Sequence, residues 1–282
     1  APANVGGPGG NFAAFGKHNY TKYTGGTLPI ILSSPHGGSL KPSNIPDRKY
    51  GVTGNDSNSR ETTWLLAREL ALATRKMPHV IINRLARIKL DANREIKEAA
   101  QGNKDAEQAW QEYHDAIKAA KNDITTRCGK GLYLDMHTNG HTEAWLELGY
   151  LLSAKDLALK DTALNDPAKV KKSSVRALAT VTGTSLSSLV RGTKSLGAAM
   201  QTAGFKTVPS PTHPHPNGGG YFSGGYNTQQ HGSKLGGGID GVQIETHFSM
   251  MNSEMKRQTY AKKLAAAVLA FLKTHHGMQT VD

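Results

Sequence analysis

Residues 132–141 read LYLDMHTNGH. Leu132, Leu134 and Met136 alternate with Tyr133, Asp135 and His137, the period of two that marks a strand. Asp135 and His137 therefore point to the same face, where Thr138-Asn139-Gly140 ends the alternation. An imidazole beside a carboxylate can hold a metal ion or move a proton, and it can equally be a hydrogen-bonded surface pair. Partners elsewhere in the chain decide between these. LPIILSSPHGG offers His36, and HVIINRLARIKLDANRE offers Arg84, Arg87, Asp91, Asn93 and Arg94. DGVQIETHF offers Glu245 and His247. Two histidines and a carboxylate would make an open zinc site with a position left for water. A further glutamate and two or three arginines would complete a hydrolytic centre.

These residues need elements to position them. Apolar runs predict strands over 28–34, 79–85, 132–137, 144–152 and 240–248. Helical spacing predicts helices over 60–76, with Ser59 as N-cap, over 103–121, over 173–203 as one or two pieces, and over 252–275. Strands alternating with helices give an α/β chain, a mostly parallel or mixed central sheet covered on both faces. In such sheets ligands sit at the carboxyl ends of strands, which is where the candidates lie. Residues 1–27, rich in Gly, Asn, Thr and Tyr, read as an irregular N-terminal arm, and 28–282 as a single domain. The Pro- and Gly-dense stretch 208–238 is too long for an ordinary connection and reads as a functional loop or lid.

Composition narrows the partners. With 282 residues, Lys+Arg 34 against Asp+Glu 22 leaves +12, which attracts nucleic acid, an anionic surface or an acidic substrate. The lysines are scattered and no nucleic-acid-binding signature is visible, so nucleic acid is the weakest of the three. The most apolar stretch, 264–272, is far short of the roughly 20 residues a membrane span needs. A single cysteine, Cys128, excludes an intrachain disulfide and carries no catalytic signature. The start at Ala1-Pro2-Ala3 and the sequons at Asn19 and Asn55 lead to the expectation of a processed, secreted protein.

SPHGG, the DxNR of LDANRE, the DxH of LDMH, the GGY of FSGGY and the IE of VQIETHF occur together and in this order. In this they resemble the N-formylglutamate amidohydrolase family, over roughly 28 to 272. That family is similar to the zinc carboxypeptidases, and the resemblance implies their three-layer α/β/α fold, with 28–282 as one carboxypeptidase-like domain. It implies Zn2+ held by His36, His137 and an acidic residue at the start of the helix after the first loop. Glu61 fits that place, with Asp56 as the alternative. Asp135 would orient His137. Glu245 matches the general base, which takes a proton from water and later hands it to the leaving amine. Asn93 and Arg94 match the pair that grips a substrate carboxylate, and Arg87 the arginine that stabilises the oxyanion. Arg84 is extra, and Asp91 would hold the arginines. Tyr226 or Tyr221 would touch substrate from the glycine-rich loop, while His213 and His215, set among prolines, read as decoration of the lid.

The activity so implied is hydrolysis of an amide bond next to a free carboxylate, in a small N-acyl amino acid, a peptide or an acidic polymer. The alternative is a secreted binding or matrix protein that reuses the fold with little or no catalysis.

Overall fold

The computed structural model describes residues 13–277. Its centre is an eight-stranded mixed sheet. The strands are β1 (Ala13–Phe15), β2 (Thr21–Thr24), β3 (Ile30–Ser34), β4 (His79–Asn83), β5 (Gly131–Asn139), β6 (Leu146–Gly149), β7 (Thr207–Val208) and β8 (Ile239–His247). They lie in the order β1-β2-β4-β3-β5-β8-β6-β7. The inner four, β4-β3-β5-β8, run parallel, and both β2 and β6 pair antiparallel to their inner neighbours. Every residue of β3, β4 and β8 is buried, as expected of strands covered on both faces.

Helices form the two outer layers. On one face lie α1 (Ser59–Thr74) and α11 (Glu254–His276); Leu66, Leu70, Leu264 and Val268 pack there on Leu32, Leu134, Leu148 and Ile244. On the other lies the long α3 (Lys104–Cys128), preceded by the short α2 (Ile96–Ala100); Tyr113, Ile117 and Ile124 pack on Ile31, Ile81 and Tyr133. The alternation in LYLDMH is thus divided between two cores, Leu134 and Met136 in one and Tyr133 in the other. Each such side chain contributes about 1.5–3 kcal/mol by leaving water. α3 begins at Asn103, whose side chain accepts the Ala106 N–H, and ends at Gly129 in the left-handed region.

Several expected boundaries move. Residues 13–15 and 21–24 of the N-terminal arm are not irregular: they pair as an antiparallel edge, β1 on β2 and β2 on β4. Residues 1–12 lie outside the described part. The strand expected over 144–152 keeps only Leu146–Gly149. Three short helices, α7 to α9, occupy Arg176–Thr202, where one or two were expected over 173–203, and three more, α4 to α6, precede them over Ala154–Lys172. The segment 208–238 holds the end of β7 and the short α10 (Tyr226–His231). No helix among the described residues is long and apolar enough to cross a membrane.

Candidate metal centre

The site lies where β3 and β5 end. The loop after β3 carries His36 and then turns tightly onto the start of α1. A Cβ at Gly37 would fall 2.6 Å from the Arg60 nitrogen and 2.7 Å from Ser59 Oγ, so the GG of SPHGG is needed for this close approach. The same loop returns Asp56 beside His36: the Asp56 N–H donates to the His36 carbonyl at 3.1 Å. β5 brings His137 from the other side.

His36, Asp56 and His137 converge, with one ligand atom from each within 4.8 Å of the others. Asp56 Oδ2 lies 3.0 Å from His137 Nδ1 and 3.4 Å from His36 Nδ1. Each histidine is supported from behind by a different carboxylate. His36 Nε2 is 2.6 Å from Asp91 Oδ1, and His137 Nε2 is 2.8 Å from Asp135 Oδ2. Asp135 is held in turn by Ser33 Oγ at 2.5 Å. Asp91 accepts from Arg87 Nε at 2.9 Å and from the Asn93 N–H at 3.0 Å. Imidazoles backed by carboxylates, with their other nitrogens facing one point, are how proteins orient metal-binding histidines.

A divalent metal fits these residues. His36 Nδ1 is buried and makes no hydrogen bond, a costly state for a polar atom unless something else occupies its lone pair. Two imidazole nitrogens and one carboxylate oxygen are the donor set of an open zinc site. The charges agree. Burial pushes the Asp56 carboxyl up, but His36 and His137 outweigh it and hold it well below the usual carboxylate range. For His137, burial opposes the imidazolium, while Asp135 and Asp56 overcome that and favour it. A bound cation would take the place of that proton.

Glu61 does not join the centre. Its carboxylate is 41% exposed and pairs with Arg60 at 2.7 Å; the acidic partner of the two histidines is Asp56. The physical reason is local: Glu61 lies in the first turn of α1, where the helix dipole and a neighbouring arginine account for it.

The other expected site residues divide into two groups. Glu245 stands next to His137, its register partner on β8, and accepts from Gln243 Nε2 at 2.8 Å. Burial, with Asp56 and Glu147 nearby, raises its carboxyl to about 8. Asn93 is buried 3.4 Å from His137 Nε2, and its Oδ1 accepts the Asn227 N–H. Arg87 is not free: besides Asp91 it faces Asp56 Oδ1 at 3.5 Å, a counter-ion to both carboxylates. Arg94 lies at the rim, 34% exposed, between Glu98 and the Asn93 carbonyl. Tyr226 packs beside Trp110 and His114, and Tyr221 donates to the Leu148 carbonyl; neither hydroxyl is directed at the centre by its contacts. Arg84 reaches the Asn19 carbonyl at the surface, and His213 packs edge-on against Trp145. Asn55 bonds the Gly38 carbonyl and the Arg87 N–H, so this sequon holds the loop that carries Asp56.

Three residues of the site escaped the sequence reading. Arg48 is buried against the Arg87 and Val52 carbonyls, 4.0 Å from Asp91. Glu147 is buried opposite Glu245 and bonds His141. A lone carboxylate in the apolar stretch AWLELG was a signal of the same kind as Glu245.

No family model matches the chain, and no curated protein matches it in sequence. Solved structures do. A gene product of Agrobacterium tumefaciens matches at TM-score 0.54 and 13% identity, over 89% of this chain and 95% of its own. The N-formylglutamate amidohydrolase of Ralstonia eutropha matches at TM-score 0.52 and 13% identity, over 90% and 94%. An N-acetylmuramyl-L-alanine amidase of Mycobacterium abscessus matches at TM-score 0.40 and 12% identity, over 86% and 98%. The three-layer α/β/α fold expected from the motifs is the fold this chain shares with the Ralstonia amidohydrolase.

Proposed function

We propose that this chain is a zinc-dependent hydrolase that cleaves an amide bond next to a free carboxylate. The observation that carries the reading is the pair of buried histidines turned toward Asp56, each backed by its own carboxylate, with His36 Nδ1 left without a hydrogen bond. His36, Asp56 and His137 would hold the ion. Zinc bound there would polarise the amide carbonyl and acidify a water molecule.

The chain's own residues do the rest. Glu245 takes the proton of the attacking water; its buried position keeps its basicity high enough for that task. Asp91 and Asp135 keep the two imidazoles in one orientation, and Arg87 neutralises Asp56 and Asp91 so that three carboxylates can share a buried corner. Arg94, at the rim, offers its planar fork to a substrate carboxylate once it leaves Glu98. One of the solved structures with this fold is an N-formylglutamate amidohydrolase, a name that fits the same class of substrate.

The test is metal analysis of the purified protein followed by a screen of N-acyl amino acids. Stoichiometric zinc is expected, lost in His36→Ala and His137→Ala while the fold survives. Glu245→Gln should keep zinc and lose on the order of 10²–10⁴ in kcat. Zinc content unchanged in both histidine variants would end the reading. Tight binding of carboxylates without turnover would instead make the chain a binding protein.

A further inference from the structure

β6 carries a second buried carboxylate that the hydrolysis described so far does not use. Glu147 is the register partner of Glu245, and Glu245 that of His137, so the three stand in a row across β6, β8 and β5. With strands about 4.8 Å apart the row spans about 10 Å. Both oxygens of Glu147 are engaged. One is 2.7 Å from His141 Nδ1, and the other accepts the Phe222 N–H at 2.7 Å. Burial raises this carboxyl, and the two bonds pull against that.

His141 is held on every side but one. Its Nδ1 edge is tied to Glu147, and its backbone N–H donates to Asn139 Oδ1 at 3.2 Å. The Phe222 ring stacks on it, 4.6 Å between centroids and 29° between planes. The Gly220 backbone presses so close that a Cβ there would fall 2.5 Å from the imidazole Cγ. What stays open is the Nε2 edge: the side chain is 27% exposed, and Nδ1 is the nitrogen bonded to protein. A carboxylate that accepts one imidazole N–H fixes the tautomer and the orientation of the ring and leaves the other nitrogen to exchange a proton. Such a pair is built to move a proton.

We infer that His141, positioned by Glu147, donates the proton that lets the amine leave. The inference rests on the amide-hydrolase reading above and divides its acid–base work between two groups. Charge supports the direction. Glu143 and Glu147 collect negative charge beside His141, which suits a nitrogen becoming an ammonium, whereas Arg94 follows β4, across β3, β5 and β8 from β6 in the strand order, and suits a carboxylate. An amide seated at Glu245 would thus lie between the metal ligands and His141, with its nitrogen on the β6 side, reached directly or through one water.

The step balances. Water oxygen forms the new C–O bond as one water proton passes to Glu245. The C–N bond breaks with its electron pair going to nitrogen, which takes the proton from His141 Nε2. The proton held by Glu245 and that of the new carboxyl group are then released, one restoring His141 and the other completing the ammonium. The products are a carboxylate and a protonated amine.

A pair of substrates with the same acyl group tests this. One is an alkylamide, whose nitrogen must be protonated to leave; the other is a p-nitroanilide, whose nitrogen leaves far more readily. His141→Gln should lose on the order of 10²–10⁴ in kcat on the alkylamide and much less on the nitroanilide, with zinc content and Tm unchanged. Glu147→Gln should shift both in the same direction, by less. Equal losses on the two substrates would overturn the role of His141 and leave the hydrolase reading standing. A zinc-loaded parent protein that cleaves neither amide would remove the hydrolase reading, and this one with it.

Discussion

The metal corner and the arginine loop use the same residue types to opposite ends. At the metal corner both Nε2 atoms rest on carboxylates, His137 Nδ1 bonds Asp56 at 3.0 Å, and His36 Nδ1 faces Asp56 without a hydrogen bond. In the arginine loop the charges are consumed. Arg87 is spent on Asp91 and Asp56, and Arg94 is shared with Glu98 and a carbonyl. A buried polar atom left without a partner, such as His36 Nδ1, is open to a ligand, whereas a guanidinium engaged by two carboxylates, such as Arg87, supports its neighbours. The contrast supports the proposal that the first region binds an ion while most of the second supports its carboxylates.

The sharpest way to break this contrast is to remove the supports rather than the ligands. Carboxylates behind metal-binding histidines typically contribute 10–100-fold to metal affinity. Asp91→Asn and Asp135→Asn should therefore each weaken zinc binding by about that factor, measured by competition with a chelating dye. Asp91 should show the larger loss, because Arg87 and the Asn93 N–H are also held by it. If neither variant changes zinc affinity, the carboxylates serve the fold alone.

How much of this was legible in the sequence follows from which forces act locally. The inner strands of the sheet and the long helices were, since period-2 and helical patterns are imposed by burial on one face or both; the placing of His36, His137 and Glu245 near the carboxyl ends of apolar strands was too. Asp56 was read only as an alternative to Glu61. Both lie near the start of α1, and what separates them is the Asp56 N–H to His36 bond, a contact across 20 loop positions that no local pattern encodes. Arg87 lies four residues before Asp91, a spacing that the turn converts into an ion pair. The β1–β2 edge was missed because its strands are short and polar and owe their form to β4. Glu147 and His141 were missed because their meaning lies in register: only the pairing of β6 with β8 shows that Glu147 stands beside Glu245.

Acidity offers a second way to sharpen the contrast, through the protein without zinc. Glu245 is raised from 4.5 to about 8, so the folded chain keeps a proton that the unfolded chain gives up. Its unfavourable effect is absent below about 4.5, grows as pH rises, and levels off above about 8. His137, raised above 6.5, contributes stability that is complete below 6.5 and is lost as pH passes its folded value. Both make the zinc-free protein less stable with rising pH. Asp56 and Asp91 are depressed below 3.8, so their contribution is already complete above that and does not move between pH 5 and 8. Zinc needs its ligands deprotonated, so it should stabilise more as pH rises. The gap in Tm between zinc-loaded and zinc-free protein should therefore widen from pH 5 to 8. In the zinc-free state Glu245→Gln should gain on the parent over the same range. A gap that stays constant would mean that neither group carries the perturbed proton.

The smallest effect is expected at Arg94, and it tests the arginine side of the comparison directly. The sequence motif casts Arg94 as the grip on a substrate carboxylate. In the fold its guanidinium lies 3.3 Å from Glu98 Oε1, and both side chains are more than a third exposed. To bind substrate it must exchange one exposed carboxylate for another, and such pairs are worth about 0–1 kcal/mol. Arg94→Ala should then raise KM for an N-acyl amino acid by no more than about fivefold and leave kcat unchanged. Glu98→Gln should lower KM, because it frees the guanidinium without removing it. If Arg94→Ala instead costs a hundredfold or more, the arginine is desolvated on the substrate, and the rim closes around the carboxylate in a way that the contact with Glu98 conceals. If Glu98→Gln raises KM as much as Arg94→Ala does, Glu98 is holding the guanidinium in its working position rather than competing for it.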